Sequence, residues 1–163
     1  MFQLFKHHKK QVTQQLHAVV DGEFIPITSV HDEIFSNKIM GDGFAIIPSN
    51  QRIVSPASGV VSTVFPTKHA IALTLDNGLD LLIHLGIDTV ELDGVPFENF
   101  VHVGDHIEAG TQIATMDIDY IKEHGKATDC VVVCTNSDAV EQLVFHHQTT
   151  VEANDVIGEI RNK

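Results

Sequence analysis

Thr67-Lys68-His69-Ala70-Ile71-Ala72-Leu73-Thr74-Leu75-Asp76-Asn77-Gly78-Leu79-Asp80-Leu81-Leu82-Ile83-His84-Leu85-Gly86 reads as one β-hairpin. Alternating apolar runs flank Asn77-Gly78, the strongest short-range hairpin signal. A loop of Asn77-Gly78 pairs Asp76 with Leu79 and sets His84 opposite Ile71. His69 then lies one diagonal step from His84, about 7–8 Å between Cα atoms. A loop one residue earlier, Asp76-Asn77, sets His69 directly opposite His84. Either two-residue loop puts both imidazoles on one face, whereas a three-residue bulged loop puts them on opposite faces. Thr67 shares the parity of His69. Two adjacent imidazoles can bind a metal, act as acid and base, or hold a phosphoryl group. Imidazole titrates near pH ~6.5, so one ring can be a neutral nucleophile while its neighbour donates a proton. The bland alternative is a pair of satisfied, half-buried histidines. Each of these, however, interrupts or ends an apolar strand, and burying two unassigned imidazoles is unfavourable.

Outward from the hairpin, the chain is punctuated like an all-β protein. Strands are expected at Gly43–Ile47, Ile53–Ser55, Gly59–Val64, Ala70–Leu75, Asp80–Leu85, Gln112–Met116, Cys130–Cys134 and Asp155–Arg161. Breakers such as Pro48-Ser49-Asn50 and Val103-Gly104-Asp105 separate them. One short helix is expected over Asp117–His124, with Gly125 as its C-cap. Many short strands with little helix predict an antiparallel β-sandwich. The turn at Val103–Gly110 resembles that of barrel-sandwich hybrids and specifies architecture without chemistry. Residues 1–17 form a separate segment: Phe2, Leu4 and Phe5 beside Lys6, Lys9 and Lys10 suit an amphipathic helix with weak membrane-surface contact, against the blander reading of a frayed terminus. The domain proper is expected over 18–163. With Met1 at its start and its end just past the last strand, the chain reads as freestanding, a domain of a longer permease being the other arrangement.

Composition bounds the function. At 163 residues the chain folds as one domain. Its 10 basic and 22 acidic residues give a net charge of −12, which argues against nucleic-acid binding. No Trp and a single Tyr leave little for stacking sugars. No run approaches the ~18 consecutive apolar residues of a membrane span, and the start lacks a secretory signal. Cys130 and Cys134 are close neighbours in an apolar run and imply core filling rather than a disulfide framework. A cytoplasmic location is expected, with contact at the inner membrane face if the opening segment binds lipid. The 11 histidines outnumber Lys and Arg together, and His7, His8, His146 and His147 lie in polar surroundings that need no special explanation.

Leu82-Ile83-His84-Leu85-Gly86-Ile87-Asp88-Thr89-Val90-Glu91-Leu92 resembles the active-site motif of the glucose-type IIA domain of the bacterial phosphotransferase system. The resemblance extends to Asn37-Lys38-Ile39-Met40-Gly41-Asp42-Gly43, Ser55-Pro56-Ala57-Ser58-Gly59 and Thr67-Lys68-His69-Ala70, and covers Val19 to Lys163 in unbroken order. It implies a β-sandwich phosphotransferase with His84 as the phosphoryl-accepting nucleophile. His69 becomes the second histidine, which orients and stabilises the phosphoryl group, with Thr67 hydrogen-bonded into the pair. Asp32 and Asp88 become the acidic edge where partners dock, and Ile34, Phe35, Ile39, Met40, Phe65, Leu82 and Val90 the apolar rim. The implied donor is the phosphocarrier HPr and the acceptor a cysteine of a sugar-permease IIB domain, with no direct contact with sugar. In this chemistry His84 attacks as the neutral ring, while a protonated His69 and the Thr67 hydroxyl stabilise the transferring group. No cofactor is implied; His69 and His84 could hold zinc, adventitious or shared with a partner's carboxylate.

Other classes fit less well. A lysostaphin-like zinc peptidase needs a His-x-x-x-Asp pair and a His-x-His motif, and His84, His69 and His31 supply neither. A biotin or lipoyl carrier needs lysine at a hairpin tip, where this chain has Asp76-Asn77-Gly78. No GxxxxGK[ST] loop is present, which suits loading by a protein rather than by ATP. A non-catalytic regulatory binding module on the same fold is the remaining alternative, and the presence of both His69 and His84 argues against it.

Overall fold

Runs rich in Val and Ile, broken by Gly, Pro, Asn and Asp, give this chain many short strands rather than a few long elements. The computed structural model describes residues 10–146 and 149–163. Among them the strands are β1 Thr13–His17, β2 Gly22–Pro26, β3 Asp42–Pro48, β4 Arg52–Val54, β5 Gly59–Val64, β6 Ala70–Leu75, β7 Asp80–Leu85, β8 Phe97–Asn99, β9 His106–Ile107, β10 Gln112–Met116, β11 Cys130–Cys134, β12 Val140–Phe145, β13 Thr150–Val151 and β14 Val156–Asn162. Two short helices, α1 Glu33–Ser36 and α2 Ile118–Glu123, and three 3-10 turns complete the elements among the described residues. An eight-stranded antiparallel sheet runs β13-β2-β3-β11-β7-β6-β5-β9, faced by three-stranded sheets β1-β14-β12 and β4-β10-β8. No helix among the described residues is long and apolar enough to cross a membrane.

The large sheet is buried on both faces at its centre. Ile71, Leu73, Ile83, Leu85 and Val132 point into the main core, where Leu16 of β1, Ile160 of β14 and Ile113 and Met116 of β10 meet them. On the opposite face Ala45, Ala70, Leu82, Val131 and Val133 form a second cluster, roofed by Ile27, Val30, Phe35 and Ile87. All five residues of β11, Cys130 to Cys134, are accordingly buried. Both cysteines are free and packed in the sheet, where burial pushes the Cys134 thiol up to about 11 and Cys130 higher still.

Two sequence expectations are corrected. Within the segment 1–17, the described part holds a strand where an amphipathic helix was expected: Thr13–His17 pairs antiparallel with β14, so the folded unit begins before residue 18. Residues 1–9, with the apolar Phe2, Leu4 and Phe5, lie outside the described residues. The second correction is the hairpin register. Ala70 pairs with His84 and Thr74 with Asp80, leaving Asp76-Asn77-Gly78 as a three-residue loop. Only Gly78 is left-handed, at φ 84, the bulged geometry that follows a type I turn. Asn77 instead turns its side chain into the structure: its amide donates to the carbonyls of Val12 and Ile160, and its backbone N–H donates to the Gln14 side chain.

Candidate functional site

With that register, strict alternation would put His69 and His84 on opposite faces, yet their rings meet edge to face with centroids 5.0 Å apart. The reason is where β6 begins. Ala70 is its first residue, and the chain before it is a tight turn in which Lys68 is left-handed (φ 60) and donates its N–H to Phe65. His69 therefore precedes the pleat and escapes its parity. The Leu85 N–H donates to the His69 carbonyl at 2.7 Å and ties this residue to the end of β7. Thr67 reaches the pair through the same turn, its Oγ1 lying 2.6 Å from His69 Nδ1.

His84 stands in a row of small neighbours, opposite Ala70 on β6 and Val131 on β11, with Ala45 beyond on β3. These short side chains leave room above the sheet for the imidazole and for the roof that covers it. Phe35 of α1 packs its edge on His84 at 5.0 Å, and Phe65 packs on His69 at 5.4 Å. His84 Nδ1 lies 2.7 Å from the Gly86 carbonyl. A carbonyl only accepts, so Nδ1 carries the proton and Nε2 of the neutral ring is left with its lone pair.

Burial lowers the pKa of both histidines; for His69 the neighbouring His84 lowers it further. For His84, the Gly86 hydrogen bond and the charges of Asp32 and Asp88 oppose the shift without reversing it. In the empty site burial thus favours the neutral form of both rings.

Asp32, Ile34, Phe35, Met40, His84, Asp88 and Val90 line one depression of about 210 Å³. Asp32 is also the N-cap of α1, accepting from the N–H groups of Ile34 and Phe35. Asp88, at φ 59, begins the 3-10 turn Thr89–Leu92. Ile34, Met40 and Val90 are exposed at the depression, Ile39 is exposed but does not line it, and Phe35 and Leu82 are buried. Leu82 belongs to the cluster under the site rather than to a contact rim, because it faces Val133 and the roof. Among the described residues no three His, Cys, Asp or Glu side chains converge as a metal-ligand set.

Gly86 has a structural role that its place in the motif does not reveal. Its φ of 78 is left-handed, and a Cβ there would collide with the Thr89 side chain and press on the Ala127 carbonyl at 3.0 Å. Thr89 is itself fixed, fully buried and donating to the Leu85 carbonyl at 2.6 Å. Gly86→Ala is expected to cost about 1–3 kcal/mol in backbone strain and to release the carbonyl that sets the His84 tautomer. Urea unfolding would read the first effect, and imidazole ¹⁵N shifts the second, as a mixture of Nδ1–H and Nε2–H forms.

Residues 14–140 match the family described as phosphoenolpyruvate-dependent sugar phosphotransferase system, EIIA 1. The chain is 40% identical over 153 residues to the glucose-specific EIICBA component of Streptococcus pneumoniae, covering 94% of this chain and 21% of that protein. It is 43% identical over 129 residues to the glucose-specific EIIA component of Staphylococcus epidermidis, covering 79% of this chain and 78% of that one. In structure it resembles the glucose permease IIA from Mycoplasma capricolum, with a TM-score of 0.82, 34% identity, and coverage of 92% of this chain and 96% of that one. The chain thus spans about a fifth of the EIICBA relative and most of the EIIA one.

Proposed function

The chain belongs to the glucose-type IIA family of the phosphoenolpyruvate-dependent sugar phosphotransferase system, and from that premise we propose that it is a phosphohistidine carrier with His84 as the carrying residue. The observation that carries this reading is the Nδ1–Gly86 hydrogen bond, which leaves His84 Nε2 as the free nucleophilic nitrogen. HPr is the proposed donor and a cysteine of a permease IIB domain the proposed acceptor. On loading, the Nε2 lone pair forms a bond to phosphorus while the donor's N–P bond breaks and its imidazole regains the bonding pair. On unloading, the acceptor thiolate attacks the same phosphorus in line and Nε2 recovers its lone pair. The Nδ1 proton stays on the ring throughout, held by Gly86. Phosphoryl transfer asks for positioning and for charge stabilisation on the equatorial oxygens. In the tautomer whose Nδ1 accepts from the Thr67 hydroxyl, His69 carries its proton on Nε2, free to donate to one of those oxygens.

The depression beside His84 suits a protein partner. Exposed Ile34, Met40 and Val90 supply apolar contact, and Asp32 and Asp88 supply acidic edges for a basic surface. The transfer balances without a metal. Zinc on His69 and His84 would need two further ligands from outside the pair, a partner's carboxylate among them, since structural zinc takes about four. The test is intact mass after incubation with phosphoenolpyruvate, enzyme I and HPr. One acid-labile phosphate is expected; none on the folded chain, with a control IIA labelled in parallel, would sink the carrier reading in favour of a regulatory binding module.

The rate of acceptance has a definite pH dependence. Attack needs neutral His84, whose pKa lies below the ordinary ~6.5. Acceptance is expected to stay flat through neutral pH and to fall only in acid, as the ring protonates. The folded chain also binds fewer protons at these histidines than the unfolded chain, so stability falls as pH falls below ~6.5 towards the lowered folded values. Single-turnover phosphorylation and urea midpoints over that range would check both, and a midpoint that rises in acid would contradict the second.

A further inference from the structure

We propose that Lys126 is a positioning residue for this site, a latch that holds the loop behind His84 in place. That loop runs from Gly86, whose carbonyl fixes His84, through Asp88 to the 3-10 turn carrying Glu91. Its opposite wall is the connection between α2 and β11. Gly86 donates its N–H to the Asp129 carbonyl at 2.9 Å and Ile87 donates to Ala127 at 3.0 Å. Lys126 closes the arrangement at its open end, its ammonium donating to the Glu91 carboxylate.

The position of Lys126 is itself built. α2 is capped by Asp117, which accepts from the Tyr120 N–H, and is anchored in the main core by fully buried Ile121. It ends in a Schellman motif: left-handed Gly125 (φ 75) donates to Lys122 and the Lys126 N–H donates back to Ile121. A continuous path therefore runs from the core through α2 to Lys126, Glu91, the loop and the Gly86 carbonyl. The Lys126 side chain is only 23% exposed, and the hydrogen bond to Glu91, with the charge of Asp88, holds its ammonium above the usual pKa. A six-residue helix on the far side of the loop from His84 thus determines how firmly the nucleophile is aimed.

The inference rests on His84 being the nucleophile, but its first readout does not. In Lys126→Met and in Glu91→Gln, amide exchange at Gly86 and Ile87 is expected to speed up about three- to five-fold, the size of one partly exposed ion pair. Exchange at Val131–Val133 in β11 should stay unchanged, and Lys126→Arg should restore the slow rate. Phosphoryl acceptance should fall in kcat with the KM for HPr retained. Unchanged exchange at Gly86 and Ile87, or equal acceleration throughout β11, would overturn the latch. So would opposite shifts of the His84 titration in Lys126→Met and Glu91→Gln, because a pure field effect changes sign between them whereas a broken latch does not. A wild type that takes no phosphate from HPr would instead remove the carrier reading and leave the exchange result standing.

Discussion

His84→Ala is expected to give a folded chain that accepts no phosphate. The substitution falls in a row that already contains Ala70 and Ala45, so the sheet tolerates the smaller side chain at that height. What is lost is the edge contacts with Phe35 and His69 and the hydrogen bond to Gly86, a cost of about 1–2 kcal/mol. The main core, on the other face of β7, is untouched, because Ile83 and Leu85 rather than His84 point into it. A thermal melt should therefore remain cooperative while intact mass shows no phosphoryl adduct after incubation with the full donor system. Retained labelling in His84→Ala would mean that His69, its ring 5.0 Å away, is the acceptor, and the roles of the two histidines would have to be exchanged.

The histidine pair was legible from the sequence, although the geometry that produces it was not. Strands over Gly59–Val64, Ala70–Leu75, Asp80–Leu85, Gln112–Met116 and Cys130–Cys134 appear with the bounds read from their apolar patterning. The strands that escaped notice lack such a pattern. β1, Thr13–His17, has Leu16 as its one buried residue, and β12 has none. Their pairing is set by β14, far away in the chain, and local preference carries no trace of it. Asn77 misleads for a related reason. Asn-Gly signals a left-handed two-residue turn, but the Asn77 amide is used to tie the hairpin tip to Val12 and Ile160, and those partners are invisible from residues 67–86. The expectation of a shared face then came true by another route, the turn at Lys68 that frees His69 from the pleat. Thr67 was placed by parity and arrives by that turn as well. Gly86 had a usable signal, since a glycine directly after a His-Leu strand end marks a backbone that must bend sharply. Lys126 had none, because its relation to Glu91 exists only once α2 and the β7 loop are folded together.

The largest asymmetry is expected from His69→Gln, which should accept phosphate at close to the wild-type rate and pass it on slower by on the order of 10²-fold. Loading depends on the lone pair of His84, which Gly86 sets without help from His69. During loading the side chain at 69 need only offer a hydrogen-bond donor to an equatorial oxygen, and a glutamine amide can do that while its carbonyl accepts from Thr67. Unloading makes a heavier demand. The acceptor brings a thiolate, so two anions approach each other over the site, and the stabilising group must be able to carry positive charge. Burial and the neighbouring His84 hold the His69 pKa below its ordinary value in the empty site. Once His84 bears an anionic phosphoryl group, the nearest strong charge favours the protonated ring, and His69 can become the cation that the second step needs. Loading therefore favours the protonation of His69 that burial in the empty site opposes. Glutamine cannot follow that change. Separate single-turnover measurements with phosphorylated HPr and with a IIB acceptor would show it, and normal transfer to the IIB cysteine by His69→Gln, or equal impairment of both halves, would rule out this division of labour.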